Sequence, residues 1–144
     1  MVRHRGRPAR LLLVEDSVAD AKLVGMALEE SASTSELVVA EDGAEALAVL
    51  AAVGAGERPR PDLVVLDVNL PRVSGFDLLR RIKGDPDLRT VPVVVFSTSR
   101  SHVDVAAAYA CGASSYVVKP LDVHEFLDVV REIEQYWTRT ARLP

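Results

Sequence analysis

Four short apolar runs along the chain are each followed directly by side chains that could do chemistry. Glu15 and Asp16 follow the first of these runs, Asp67 follows a later one, and Ser97 and Lys119 follow the last two. If the runs are parallel strands, their carboxyl ends meet at one edge of a sheet, which is where open α/β sheets bind ligands. We therefore expect three carboxylates, one hydroxyl and one ammonium group to converge there.

This set of side chains suits a metal ion and a phosphoryl group. Neighbouring carboxylates repel one another, and their pKa values rise unless a cation neutralises them. Mg²⁺ fits because it takes hard oxygen ligands, one or two of them carboxylates, together with phosphate oxygens. A carboxylate can act as the nucleophile towards phosphorus, while an ammonium group and a hydroxyl stabilise the transferred group. The residue types therefore predict Mg²⁺-dependent phosphoryl transfer.

The apolar runs also predict strands that alternate with helices. Strands are predicted at residues 11–14, 37–40, 63–66, 93–96 and 116–118, and helices at residues 18–28, 44–53, 76–83, 103–110 and 122–137. Runs that are apolar on both faces are typical of a parallel sheet covered by helices on both sides. Gly112 is placed to cap the fourth helix. The alternation predicts an α/β fold with a doubly wound sheet.

Length and composition bound the remaining possibilities. The 144 residues predict one domain at residues 10–137, a flexible basic tail at residues 1–9 and a C-terminal tail at residues 138–144. A formal net charge of −4 argues against a nucleic-acid surface. No run approaches the roughly 18 apolar residues of a membrane span, and the single cysteine, Cys111, fits a reducing compartment. We therefore expect a cytoplasmic protein that does not contact membranes.

Four sequence motifs resemble those of one known family. They are LLLVEDS, LVVLDVNLPRVSG, PVVVFSTS and SSYVVKP, in that order. In this combination the chain resembles the CheY-like receiver domain of response regulators in two-component signalling. The resemblance implies a flavodoxin-like fold, with five parallel strands in the order 2-1-3-4-5 and five helices on both faces. It also implies that a sensor histidine kinase supplies the phosphoryl group.

The resemblance assigns roles to the acidic residues of the site. Asp67 corresponds to the phosphoacceptor and shares in binding Mg²⁺. Asp16 would bind the metal directly, and Glu15 would act on it through water. Asn69 would offer the metal its backbone carbonyl, so its side-chain type is less constrained.

The resemblance also assigns roles to the residues that would respond to the phosphoryl group. Ser97 would hydrogen-bond to it, and Lys119 would form a salt bridge with it. Tyr116 matches the aromatic switch of the family, which swings inward when the hydroxyl residue moves to the phosphate. The peptide bond between Lys119 and Pro120 is expected to be cis.

One departure from the family pattern concerns access to the acceptor. Thr98 stands where the family usually has alanine or glycine. Its bulk is expected to narrow the path of water and of small phosphodonors to Asp67. Thr98, Ser99 and Asn69 are therefore the residues expected to set access and the lifetime of the phosphoryl group.

A narrower resemblance concerns the loop at residues 54–61, the FSTS segment and the ending EIEQYWTRTARLP. Together they resemble single-domain regulators associated with bacterial phytochromes. Output would then pass by contact with a phosphotransfer protein, by feedback on the kinase or through a homodimer. Val129, Tyr136 and Trp137 are the candidate dimer face, with a broad core-facing stripe as the alternative.

Other functions fit the residues less well. A phosphatase of the haloacid dehalogenase type would need a second aspartate where Asn69 stands, and Glu15 and Asp16 would repel the phosphate of a flavin cofactor. The chain is therefore expected not to be an enzyme, apart from hydrolysis of its own acyl phosphate. The remaining alternative is a docking module that is never phosphorylated, and modification of Asp67 discriminates between the two.

Overall fold

The fold is described from a computed structural model that covers residues 7–31 and 34–144. The strands are β1 (Arg10–Val14), β2 (Glu36–Ala40), β3 (Leu63–Leu66), β4 (Val93–Ser97) and β5 (Ser115–Val118). The helices are α1 (Val18–Glu30), α2 (Gly43–Gly54), α3 (Gly75–Gly84), α4 (His102–Ala110) and α5 (Val123–Gln135), and a π-helical turn follows at Tyr136–Thr140. The predicted alternation is confirmed. Among the described residues, no helix has both the length and the apolar character needed to cross a membrane.

The five strands form one parallel sheet in the order β2-β1-β3-β4-β5. The predicted flavodoxin-like strand order is therefore confirmed. Each strand is followed by a helix, so the chain returns to the amino end of the sheet before the next strand begins. All strands consequently end at the same edge of the sheet, which is where the chemically capable residues were predicted to meet.

Both faces of the sheet are buried, which explains why the strands are apolar without alternation. Leu12 and Val14 of β1 lie in the core cluster that includes buried residues of α2, α3 and α4. Leu11 and Leu13 lie in the opposite cluster, which includes buried residues of α1 and α5. Successive side chains of a strand point to opposite faces, so a helix layer on each side requires an apolar residue at every position.

Polar residues fix where the helices begin. The N-cap side chains each accept a hydrogen bond from a backbone N–H in the first turn; they are Ser17, Asp42, Ser74, Ser101 and Asp122. Such caps satisfy donors that the helix itself leaves unpaired. Gly112 follows the end of α4 with φ +102°, so the predicted glycine at this helix end is confirmed.

The segment before β1 packs against the domain from Arg7 onward, within the residues predicted to form a flexible tail. Arg7 makes a bidentate contact with Asp62, with distances of 2.8 Å and 2.9 Å, and Ala9 is buried. The guanidinium group matches the geometry of a carboxylate, and this holds the segment before β1 against the start of β3. Residues 7–9 are therefore part of the folded domain, and the prediction for residues 1–6 lies outside the described residues.

Helical structure continues past the predicted boundary at residue 137, through the π-helical turn. Thr138 is buried and donates to the carbonyl of Glu134 at 2.6 Å. The Glu134 carboxylate also accepts from Thr138 at 3.1 Å and from Ser35 at 2.7 Å. These hydrogen bonds join the end of α5 to the residue before β2, so Thr138 packs against the folded domain.

The candidate dimer face is mostly occupied by the protein's own core. Val129 and Trp137 pack against the buried cluster between the sheet and α5. Tyr136 is exposed, and its ring lies edge-to-face with Trp137 at a centroid distance of 5.1 Å. For Val129 and Trp137 the structure therefore favours the broad core stripe. Of the three candidate residues, Tyr136 is the one that is exposed.

Candidate functional site

The carboxyl ends of four neighbouring strands bring the predicted residues together. Backbone hydrogen bonds continue past the strands, from Asp67 N–H to the Val14 carbonyl at 3.0 Å and from Lys119 N–H to the Ser97 carbonyl at 2.8 Å. These bonds hold Asp67, which follows β3, beside the end of β1, and Lys119, which follows β5, beside the end of β4. The predicted convergence of carboxylates, hydroxyl and ammonium group is therefore what the structure shows.

Lys119 is the centre of the site. Its Nζ lies 2.6 Å from Glu15 Oε1, 2.9 Å from Asp67 Oδ2 and 2.9 Å from Asp20 Oδ2. An ammonium group has three hydrogen-bond donors, and each carboxylate takes one. The lysine side chain is 4% exposed, so it pairs with these carboxylates largely shielded from water. The ring of Phe96 adds a cation–π contact at 5.9 Å.

Burial and ion pairing shift the ionisation of two of these groups. Burial raises the pKa of Glu15 to about 7, although the hydrogen bond from Lys119 opposes this rise. Burial alone would lower the pKa of Lys119, but hydrogen bonds to Asp20, Glu15 and Asp67 together raise it above its ordinary value. The ion pairs therefore favour the charged form of Lys119, and the site holds more acidic groups than one lysine can neutralise.

Three carboxylates are arranged to hold a metal ion. Ligand oxygens of Glu15, Asp16 and Asp67 lie within 4.8 Å of one another. Glu15 and Asp67 are buried, whereas Asp16 is exposed and opens the group to solvent. Carboxylate oxygens without nitrogen or sulphur ligands are the chemistry of hard divalent cations. The donor set therefore fits the predicted divalent metal.

Asn69 connects Asp67 to the buried hydroxyl of Ser97. Its backbone N–H donates to Asp67 Oδ1 at 2.9 Å, and its side-chain amide donates to Ser97 Oγ at 3.2 Å. The Ser97 hydroxyl is fully buried and also accepts from the Ser99 N–H at 3.3 Å. One oxygen of Asp67 is therefore oriented by the backbone of its own loop and the other by Lys119.

Tyr116 is held half-buried by hydrogen bonds at both ends. Its hydroxyl donates to the Ser99 carbonyl at 2.8 Å, and its backbone N–H donates to the Tyr109 hydroxyl at 3.1 Å. Ser99 in turn donates from its hydroxyl to Asp104 at 2.6 Å. Thr98 is exposed at the surface of the site. The switch role of Tyr116 and the access role of Thr98 stay predictions.

The expectation of a cis bond between Lys119 and Pro120 is wrong, because the described residues contain no cis peptide bond. An X–Pro bond favours the trans form by roughly 0.5–1 kcal/mol. With the trans bond, Lys119 already reaches its three carboxylate partners. The trans bond is therefore compatible with all three ion pairs of the lysine.

The sequence as a whole matches a known family over most of its length. Residues 11–131 match the response regulator receiver domain. The chain belongs to the response-regulator receiver family. It is therefore a receiver domain of two-component signalling rather than a classical enzyme.

Some relatives of this receiver are similar to it along nearly their full length. Response regulator Rcp1 of Synechocystis is 41% identical over 138 residues, which cover 95% of this chain and 94% of Rcp1. The crystal structure of the Mn²⁺-bound form of Rcp1 superposes with a TM-score of 0.88 at 40% identity and covers 95% and 99% of the two chains. The phosphorylated cyanobacterial phytochrome response regulator RcpA superposes with a TM-score of 0.90 at 38% identity, covering 96% and 99%.

The sequence reasoning missed one residue of this receiver's site. Asp20 lies in the first turn of α1 and is not among the predicted site residues, but its carboxylate contacts Lys119. The signal was available, because a helix that follows β1 must begin at the same edge of the sheet as Glu15. The residues predicted for the acceptor, the metal and the phosphoryl contacts all lie at this edge, and their individual roles stay predictions.

Proposed function

We propose that Asp67 accepts a phosphoryl group from a phosphohistidine of a sensor kinase. The observation that carries the proposal is the position of its carboxylate, which lies in the metal-ligand group and against Lys119 Nζ at 2.9 Å. A carboxylate oxygen of Asp67 attacks phosphorus, the new P–O bond forms as the P–N bond breaks, and the imidazole leaves. Positioning and charge neutralisation are the main requirements of such a transfer.

The residues around Asp67 would have two roles, which are to hold the metal and to bind the transferred phosphoryl group. Glu15, Asp16, Asp67 and the backbone carbonyl of Asn69 would hold Mg²⁺, which when bound would neutralise negative charge on the phosphoryl oxygens. Lys119 pairs with the transferred phosphoryl group through the N–H of its Nζ that donates to Asp67 in the structure. These assignments are supported by the carboxylate spacing and by the buried ammonium group.

The residues around the acceptor would also set how the signal ends and how it is read out. Ser97 rotates its hydroxyl to the phosphoryl group and releases its bond from Asn69, and Tyr116 responds to this change. Water hydrolyses the acyl phosphate at a rate set by the groups that flank the acceptor, namely Thr98, Ser99 and Asn69. The buried position of Ser97 between Asn69 and Ser99 supports this coupling.

The input is proposed from the relatives. Because RcpA is a phytochrome response regulator, we assign this receiver to a phytochrome-type sensor kinase in the cytoplasm. Output then passes to a phosphotransfer protein, back to the kinase or through a homodimer that includes the exposed Tyr136.

The direct test is the intact mass of the protein after incubation with Mg²⁺ and acetyl phosphate. We expect the mass to increase by one phosphoryl group. No increase should occur when EDTA has removed the metal before acetyl phosphate is added, and peptide mapping should place the group on Asp67. Beryllofluoride binding serves as a second readout if Thr98 slows the small donor. If the protein shows no mass gain and does not bind beryllofluoride, the proposal is contradicted and a docking module that is not phosphorylated is favoured.

A second prediction concerns the metal. We expect Asp16→Ala to weaken divalent-metal binding about tenfold or more, because it removes a charged ligand from a small site. Glu41→Ala is the matched control, since Glu41 follows β2 at the same edge and is also exposed. Binding of Mn²⁺, followed by electron paramagnetic resonance with Mg²⁺ as competitor, measures both variants. Equal affinities in the two variants would exclude Asp16 as a ligand.

A further inference from the structure

Asp20 lies at the lysine of the site but outside the group of metal-ligating carboxylates. Its Oδ2 is 2.9 Å from Lys119 Nζ, the same distance as that between Asp67 and the lysine. The ligand oxygens that lie within 4.8 Å of one another belong to the other three carboxylates of the site. The contact between Asp20 and the lysine therefore uses a carboxylate that does not belong to the candidate metal-ligand group.

The helix start fixes Asp20 in this position. Its backbone N–H donates to the Ser17 hydroxyl at 3.2 Å, and the Ser17 N–H donates to Glu15 Oε2 at 3.2 Å. Glu15 Oε1 in turn accepts from Lys119 at 2.6 Å. The four residues thus form a closed ring of hydrogen bonds, in which the first turn of α1 presents the Asp20 carboxylate to the lysine.

The other two partners of Lys119 change when the site is used. On the proposed function, phosphorylation converts one carboxylate oxygen of Asp67 into the bridging oxygen of an acyl phosphate, a mixed anhydride, and Glu15 would act on the metal. Both contacts with the ammonium group weaken at the moment when the lysine must meet a phosphoryl group. Asp20 is the carboxylate partner of Lys119 that neither becomes phosphorylated nor binds the metal, so its contact with the ammonium group can persist.

We propose that Asp20 is a positioning residue, which anchors Lys119 from α1 while the lysine exchanges its contact with Asp67 for one with the phosphoryl group. The inference deepens the proposed function and rests on it. A carboxylate that is 27% exposed can follow a small movement of the lysine, whereas a fully enclosed carboxylate could not. Loss of Asp20 should therefore weaken capture of the phosphoryl group without removing the metal site.

Beryllofluoride affinity separates these two effects, because beryllofluoride mimics the aspartyl phosphate and requires both the metal and the lysine. We expect Asp20→Ala to weaken beryllofluoride binding about tenfold at saturating Mg²⁺, since a charge-assisted hydrogen bond to the lysine is lost. Asp20→Asn keeps an acceptor oxygen and should lose only about threefold. Mn²⁺ affinity without beryllofluoride should change by less than about threefold in both variants. Fluorine NMR measures the first quantity and electron paramagnetic resonance the second.

Asp77→Ala is the matched control, because Asp77 also lies in the first turn of a helix but pairs with Arg80, at 2.8 Å, instead of with a residue of the site. It should leave beryllofluoride affinity unchanged, and circular dichroism should show that all variants are folded. Wild-type affinity in Asp20→Ala, an equal loss in Asp77→Ala or a parallel loss of Mn²⁺ affinity would overturn the role of Asp20. Failure of the wild-type protein to bind beryllofluoride would instead overturn the proposed function, and the role of Asp20 with it.

Discussion

Asp67→Asn is expected to abolish phosphoryl uptake from acetyl phosphate while leaving the fold intact. The amide has nearly the shape of the carboxylate, so the backbone bonds of the loop can remain. It is not a nucleophile towards phosphorus, and no acyl phosphate forms on it. Because the substitution leaves Lys119 paired with Glu15 and Asp20, the charge of the lysine is still balanced. Intact mass spectrometry should show the unmodified protein at every time point.

Asp122→Asn is the control for the loss of a carboxylate elsewhere. Asp122 caps α5 by accepting from the Glu125 N–H at 2.9 Å, and asparagine caps helices about as well as aspartate. This variant should gain one phosphoryl group at close to the wild-type rate. Full uptake in Asp67→Asn would show that the acceptor is another residue, and peptide mapping would then identify it.

Gly75→Ala is expected to have the largest effect on stability, because no room exists for the added methyl group. A Cβ at Gly75 would lie 2.4 Å from the Cα of Val68 and 2.5 Å from the carbonyl oxygen of Asp67. Both are backbone atoms of the loop that presents the acceptor, so the loop or the start of α3 must move. Overpacking of this kind costs about 3 kcal/mol in the free energy of unfolding. Phosphoryl uptake should fall as well, since Asp67 moves with its loop.

Gly25→Ala should change stability in the opposite direction. Gly25 lies inside α1, and apart from its chain neighbours and the backbone of its own helix, no atom of the described residues lies within 4 Å of a Cβ built there. Alanine in a helix interior is more stable than glycine by roughly 0.5–1 kcal/mol. Urea denaturation of the two variants measures both effects with the same assay. If Gly75→Ala is as stable as the wild type, the start of α3 can move away from the backbone of Asp67 and Val68 at little cost in free energy, and the prediction is wrong.

The strand and helix pattern could be predicted because the physical cause is local. Residues 63–66 are apolar at every position, and such a run can be accommodated only where both faces of a strand are covered. The segments that were misjudged depend on distant partners. Arg7 is ordered by Asp62, which is 55 residues away, and the Glu134 carboxylate at the end of α5 accepts from Ser35, which is 99 residues away. Nothing near Arg7 or Glu134 in the sequence indicates these contacts.

The sequence by itself determined the fold class, the order of the elements and the set of chemical groups at the carboxyl edge of the sheet. These follow from periodicity and from residue type, both of which can be observed along the chain. Only the tertiary structure decided that Lys119 divides its three donors among Glu15, Asp67 and Asp20, and that the bond before Pro120 is trans. The donors of an ammonium group can go to any carboxylate within reach, and which ones lie within reach is set by the packing of α1 against the sheet.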